Sequence, residues 1–149
     1  MENNLSNINA LEWATHFENR AMSAINFISI TARKFPLERR RDIVKHIKDG
    51  SSEAAIHQNI PYAAKELRND LIHDFWDDFK DGTPTQIQHY KNKIDDFSVV
   101  AATNSPTFQP YLKDLIYDIV PEDMPEDERK KRENWKNLMK EYAICDCCC

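Results

Sequence analysis

Apolar residues recur three and four positions apart along most of the chain, and no stretch alternates convincingly with a period of two. That spacing predicts helices. The first long one runs from about Asn9 to about Lys34, on a stripe of Leu11, Ala14, Phe17, Ala21, Ala24, Ile25 and Ile28. A second follows Pro36 and ends near Gly50, a residue type suited to the position just past a helix end. Ser51, Ser52 and Glu53 read as the opening of a short helix. Pro61 starts the next, PYAAKELRNDLIHDFWDDFKDG, which Asp81 and Gly82 stop. Thr83 or Thr85 caps a further helix through about Phe97, and Ser105 to Val120 form another on Leu112, Leu115, Ile116 and Ile119. A Pro- and acid-rich stretch, PEDMPEDE, leads to a last helix, ERKKRENWKNLMKEYAI. The expected fold is all-α, a bundle of about five to seven helices. It divides into a bundle over 1–120, a linker and C-terminal helix over 121–144, and a cysteine-rich tail over 145–149.

Composition agrees with that pattern. The 149 residues suffice for a packed core without disulfides or metal, and 41% hydrophobic with 30% charged residues is a globular balance. Only 2 glycines occur, few for a sheet protein with many tight turns. The opening MENNLSNINA has neither a basic nor an apolar stretch, so no signal peptide is expected. No apolar run approaches the roughly 18 residues needed to span a bilayer. A cytoplasmic location is the expectation. The net charge of −5 argues against a general nucleic-acid coating protein, since non-specific affinity comes from neutralising phosphates with a basic surface. It leaves room for an enzyme that takes RNA into a local basic cleft.

The helix after Pro61 carries the sharpest chemistry. At about 100° per residue, Ala64, Leu67, Leu71 and Phe75 form one stripe, widened by Ile72, Trp76 and Phe79. Glu66, Asn69, Asp70, His73 and Asp77 take the opposite side, with Asn69 and His73 neighbours four apart. Arg68 projects near the middle of the apolar side. A guanidinium cannot shed its proton, so it needs an acidic partner or a cleft.

Arg68-Asn69-Asp70-Leu71-Ile72-His73 is similar to the Arg-x4-His motif of HEPN domains, in the form with a polar residue after the Arg. The context, NIPYAAKELRNDLIHDFW, resembles HEPN toxins too, with a proline opening the helix, Leu before the Arg and two aliphatics before the His. The resemblance covers about residues 5 to 120. It implies a homodimer that brings two motifs into one cleft and cleaves an RNA substrate without metal or cofactor, by attack of the 2′-hydroxyl on the adjacent phosphodiester. His73 would then be general base or acid, Arg68 would stabilise the phosphoryl group, and Asn69 would orient the ring or substrate. Histidine exchanges protons near neutral pH, and a forked guanidinium matches the charge on non-bridging oxygens. An antitoxin or regulatory protein is a further expected partner. Relatives paired with nucleotidyltransferase antitoxins carry a Tyr two residues after the His; Phe75 stands there, so modification at that position is not expected. The acidic neighbours Asp70, Asp74, Asp77 and Asp78 disfavour RNA and suit a relative that has lost turnover.

A second match, Arg41 to His46 in RRRDIVKHIKDG, is read as a solvated basic patch, Arg39 to Arg41, with a surface histidine, and as a supplementary source of RNA contacts. His16, with Glu18 and Asn19, is a candidate cleft residue, and Glu18 a candidate partner for Arg68. All 4 cysteines, Cys145, Cys147, Cys148 and Cys149, lie in the closing CDCCC. Closely spaced thiolates can hold a soft metal, but structural zinc usually draws on two separated pairs. Terminal cysteines also resemble acceptors for geranylgeranyl or palmitoyl groups. A membrane partner is expected only if they are lipidated. The bland reading is a redox-sensitive tail with no role. Trp135 and Leu138, beside the basic run from Arg129 to Arg132, suit either a membrane surface or packing on the bundle. There is no glycine-rich phosphate loop, HExxH, nucleophile elbow or internal repeat, and the 5 histidines form no metal constellation. Two functions remain: a HEPN-type endoribonuclease, as toxin or defence effector, and an inactive helical binding module acting as an immunity, antitoxin or adaptor protein.

Overall fold

Proline and short polar side chains set where the helices begin. In the computed structural model, which describes the backbone of residues 2–52 and 59–148 and the side chains of 11–52 and 59–140, six α-helices and one 3₁₀ turn form an all-α bundle. They are α1 (Glu2–Ala32), α2 (Leu37–Gly50), α3 (Ile60–Phe79), α4 (Pro84–Thr103), α5 (Gln109–Ile119), a 3₁₀ turn (Pro121–Asp123) and α6 (Glu126–Cys148). Asn59 caps α3 by accepting from the Tyr62 N–H, with Pro61 in the first turn, where no intrahelical donor is needed. Thr83 caps α4 in a reciprocal box: Thr83 Oγ1 accepts from the Gln86 N–H at 3.2 Å, and Gln86 Oε1 accepts from the Thr83 N–H at 2.9 Å. Asn104 ends α4 in the left-handed region at φ 46°, which short amide side chains tolerate. The short helix expected from Ser51 extends into 53–58, outside the described residues.

Gly50 corrects an expectation. It is the last residue of α2, not the residue beyond it, and its φ is not positive. Its small size is what matters. A Cβ there would stand 2.8 Å from Leu67 Cδ2 and 3.0 Å from Leu67 Cβ, so glycine lets α2 close on α3.

The core fills the space between these faces: Ala24, Ile25 and Ile28 of α1, Ile43 and Ile47 of α2, Leu67, Leu71 and Phe75 of α3, Ile94 and Phe97 of α4, and Leu115 and Ile119 of α5. Each fully buried large apolar side chain contributes about 1.5–3 kcal/mol. Phe75 stacks on Phe35 at 5.9 Å and Phe79 on Tyr90 at 5.3 Å. Ala63, Ala64 and Ala102 form a small second cluster where the start of α3 meets the end of α4. Helix α3 therefore runs between α2 on one flank and α4 on the other.

The described stretches nearest the two ends of the chain are exposed. Residues 11–20 of α1 are exposed, so Leu11 and Phe17 of the expected stripe lie outside the core. Phe17 only meets the edge of Phe108, at 6.1 Å. Helix α6 continues through the first cysteines to Cys148, past the boundary expected at 144. Trp135 is 67% exposed and borders an open hollow that Asp114 of α5 shares. No helix among the described residues is long and apolar enough to cross a membrane.

Candidate functional site on α3

The sequence of α3 sorts its side chains into three sectors, and the two neighbouring helices fix which sector is open. Leu67, Leu71, Phe75 and Phe79 point into the core. Asp74 meets α2, Arg68 meets α4, and Tyr62, Glu66, Asn69, Asp70, His73 and Asp77 remain on the exposed face. Ile72 is half-buried and Trp76 is exposed, so the apolar side is narrower than expected. Arg68 consequently stands at its edge, not in its middle.

Arg68 is 41% exposed and its Nη1 lies 3.9 Å from Asp95 Oδ1 on α4, an ion pair too long for a hydrogen bond. Arg68 Nε is buried and has no hydrogen-bond partner among the described residues. The guanidinium thus has unused donor capacity. Asn69 and His73 are both exposed, one turn apart, and neither makes a side-chain hydrogen bond among the described residues. No hydrogen bond or ion pair joins Arg68 to His73 either. Five residues at about 100° each place them roughly 140° apart round the helix. Of the expected trio, one helix brings Asn69 and His73 together and turns Arg68 away. Glu18 does not serve Arg68; the carboxylate beside it is Asp95. His16 and Asn19 lie along an exposed hollow on α1, with Leu11, Glu12 and Thr15.

The second Arg-x4-His match behaves differently from its reading. Arg39, Arg40 and Arg41 do not form a free basic patch, because each is paired. Arg39 bonds Asp77 at 3.1 Å and donates to the Asp74 carbonyl at 2.7 Å. Arg40 forks onto Glu122 at 2.9 and 3.0 Å and also donates to the carbonyls of Phe35 and Ile119. Arg41 forks onto Asp123 at 2.8 and 3.0 Å. These charges hold the 3₁₀ turn and α3 against α2 and leave little for phosphate.

His46 is likewise engaged. Its Nδ1 meets Asp74 Oδ2 at 2.6 Å, with the two side chains 31% and 12% exposed. Burial pushes the Asp74 carboxyl above its ordinary range; the contact with His46 pulls the other way without cancelling it. His46 also borders a cleft of about 70 Å³, shared with Asp49, Gly50, Glu66 and Asp70. That is far below the roughly 300–1,000 Å³ of an ordinary ligand pocket. At its rim, Tyr62 donates to Glu66 Oε1 at 2.8 Å, and that bond raises the phenol's pKa. The sequence did carry one signal for the His46–Asp74 pair. Asp74 falls at the border of the apolar stripe, where a carboxylate needs a partner.

No family model, curated protein or solved structure matches this chain. Among the described residues, no three His, Cys, Asp or Glu side chains are grouped so as to hold a metal ion.

Proposed function

We propose that this chain is a metal-independent endoribonuclease of the HEPN kind, acting as a toxin or defence effector. The observation that carries the reading is the open face of α3: Asn69 and His73 stand exposed with no side-chain hydrogen bond among the described residues, and Arg68 is held only loosely, 3.9 Å from Asp95. A structural histidine would be packed and paired, as His46 is.

In this reading His73 takes the proton of the RNA 2′-hydroxyl as its oxygen attacks the neighbouring phosphorus. The bond from phosphorus to the 5′-oxygen breaks, that oxygen takes a proton, and a 2′,3′-cyclic phosphate remains. Arg68 neutralises the non-bridging oxygens, where a positioned donor is worth several kcal/mol. Asn69 orients the imidazole or the sugar. Arg68 and His73 diverge round one helix, so the reading calls for a second copy that sets Arg68 of one protomer near the partner's His73. Two imidazoles would then supply the base and the acid.

One observation favours the second reading, a binding module without turnover. Glu66, Asp70 and Asp77 share the exposed face with His73, and Asp95 adjoins Arg68, so a phosphate backbone meets repulsion there. A basic protein partner would not.

The test is incubation of the purified protein with mixed cellular RNA in EDTA, beside a His73→Ala variant. Expected is cleavage that persists under chelation, leaves 2′,3′-cyclic phosphate ends, and falls by about 10²–10⁴ in the variant. Intact RNA from a folded, dimeric protein overturns the nuclease and leaves the binding module.

A further inference from the structure

Helix α6 stands apart from the bundle and presents a face that nothing described covers. Its first turns are fixed: Arg129 donates to the Pro121 carbonyl at 2.9 Å, and Arg132 pairs with Asp114 at 3.1 Å and Asp118 at 3.7 Å while lying over the Tyr117 ring. Beyond that anchor the helix projects. Leu138 and Met139 lie three and four residues after Trp135, on one side, and the three are 47%, 62% and 67% exposed in that order. Trp135 and Met139 line a shallow hollow of about 430 Å³ whose other walls are Lys136 and Lys140. Lys130, Lys131, Lys136 and Lys140 have no carboxylate partner among the described residues. From Arg129 to Lys140 six basic side chains face one acid, Glu133, in a chain whose net charge is −5.

We propose that α6 docks on an anionic lipid surface, with Trp135, Leu138 and Met139 in the headgroup boundary and Lys131, Lys136 and Lys140 against lipid phosphates and carboxylates. A short apolar stripe with a tryptophan and a lysine-rich flank is the pattern of a helix lying in the interface plane. Charge decides against the alternative of a second α6. Two such helices face to face would bring Lys136 and Lys140 of both copies around one small apolar seam, where like charges repel. An anionic surface instead neutralises them, with a gain in partitioning of about fivefold per lysine. The residues outside this run carry the chain's excess of acid, so the helix is the part that such a surface attracts.

The experiment uses the full chain, reduced, with vesicles of phosphatidylcholine alone or with about 30% phosphatidylserine. Expected is sedimentation with the anionic vesicles only, a blue shift of tryptophan emission that Trp135→Phe removes, and release at about 0.5 M salt, where screening is within a few ångströms. The triple substitution Lys131→Glu, Lys136→Glu, Lys140→Glu lowers partitioning by at least about 100-fold; all three sites are exposed, and circular dichroism checks that the helix content is kept. Three results overturn the proposal: no sedimentation with anionic vesicles at low salt, equal sedimentation with neutral ones, or a self-association that Trp135→Glu abolishes while vesicles stay unbound. The last would make a second copy the occupant.

Discussion

Replacing Asp74 by alanine removes the carboxylate that meets His46 Nδ1 at 2.6 Å and ties α3 to α2. The bond is interhelical and largely shielded, so its loss alone costs about 1.5–3 kcal/mol, as for hydrogen bonds to charged groups. Two terms offset it. Alanine is the better helix former by up to about 0.7 kcal/mol, and a half-buried carboxylate no longer has to be desolvated. The neighbouring bond from Arg39 is untouched, because it goes to the backbone carbonyl of residue 74. The net expectation is a loss of about 1 kcal/mol, or a Tm lowered by about 2–4 °C in a chain of this size. Asp74→Asn keeps an acceptor for His46 and should lose less. The two variants also differ with pH. Burial raises the folded-state pKa of Asp74, so between the ordinary carboxylate value and that raised value the folded chain holds the proton more firmly than the unfolded one. Stability from this group is present below the window and is lost as pH rises through it. His46 and Arg39 face Asp74 from α2, and Asp70 and His73 lie beside it on α3; none is altered in Asp74→Asn. Urea denaturation of wild type and Asp74→Asn, repeated at steps of pH upward from the ordinary carboxylate value, reads the difference directly. The stability of Asp74→Asn relative to wild type should climb across the window. A constant difference, or an Asp74→Ala midpoint equal to wild type, would refute a half-buried, interacting Asp74.

Gly50→Ala should destabilise by about 1 kcal/mol, because overpacking of about 1–3 kcal/mol against Leu67 exceeds the 0.5–1 kcal/mol that alanine returns to a helix; a denaturant midpoint above wild type would show that α2 and α3 do not meet there. Arg40→Ala should cost about 2 kcal/mol by thermal unfolding, since one guanidinium bonds Phe35, Ile119 and Glu122, and lysine should rescue it poorly, having no fork. His73→Ala should leave the unfolding free energy within about 0.5 kcal/mol of wild type, because the side chain is exposed and makes no hydrogen bond among the described residues, so any loss of RNA cleavage is not a folding defect.

Much of the fold was legible because its signals are local. Pro36, Pro61 and Thr83 mark helix starts through backbone chemistry that acts within four residues, and the apolar positions of α2 to α5 name their own buried faces. Gly50 was misread because a glycine at a helix end usually supplies a positive φ, whereas here the missing Cβ serves a neighbour 17 positions along, Leu67. The ends of the chain misled for another reason. Leu11, Phe17, Trp135 and Leu138 fall at helical spacing, but spacing says only that a face is apolar. Whether another element arrives to cover it depends on where the bundle stops.

The same distinction governs the candidate site. Which face of α3 carries Asn69 and His73 follows from period alone. Which histidine is free does not, because the partner of His46 lies 28 residues away on another helix, and the arginines of RRR find acids up to 82 residues away. Those pairings consume the charges that looked most suited to RNA and leave His73 as the histidine of the two motifs with no hydrogen-bond partner among the described residues. They also explain why the acidic chain can carry three consecutive arginines without a basic surface. Among the described residues, unpaired positive charge clusters on α6, far along the sequence from Arg68 and His73. If RNA is the substrate, its backbone must therefore be held by charge from outside the exposed face of α3, either from a second copy or from α6. Lengthening the RNA past the reach of α3 distinguishes these sources: cleavage of a trinucleotide should be unaffected by Lys131→Glu, Lys136→Glu, Lys140→Glu, whereas a long RNA should lose affinity and salt dependence if α6 holds its backbone.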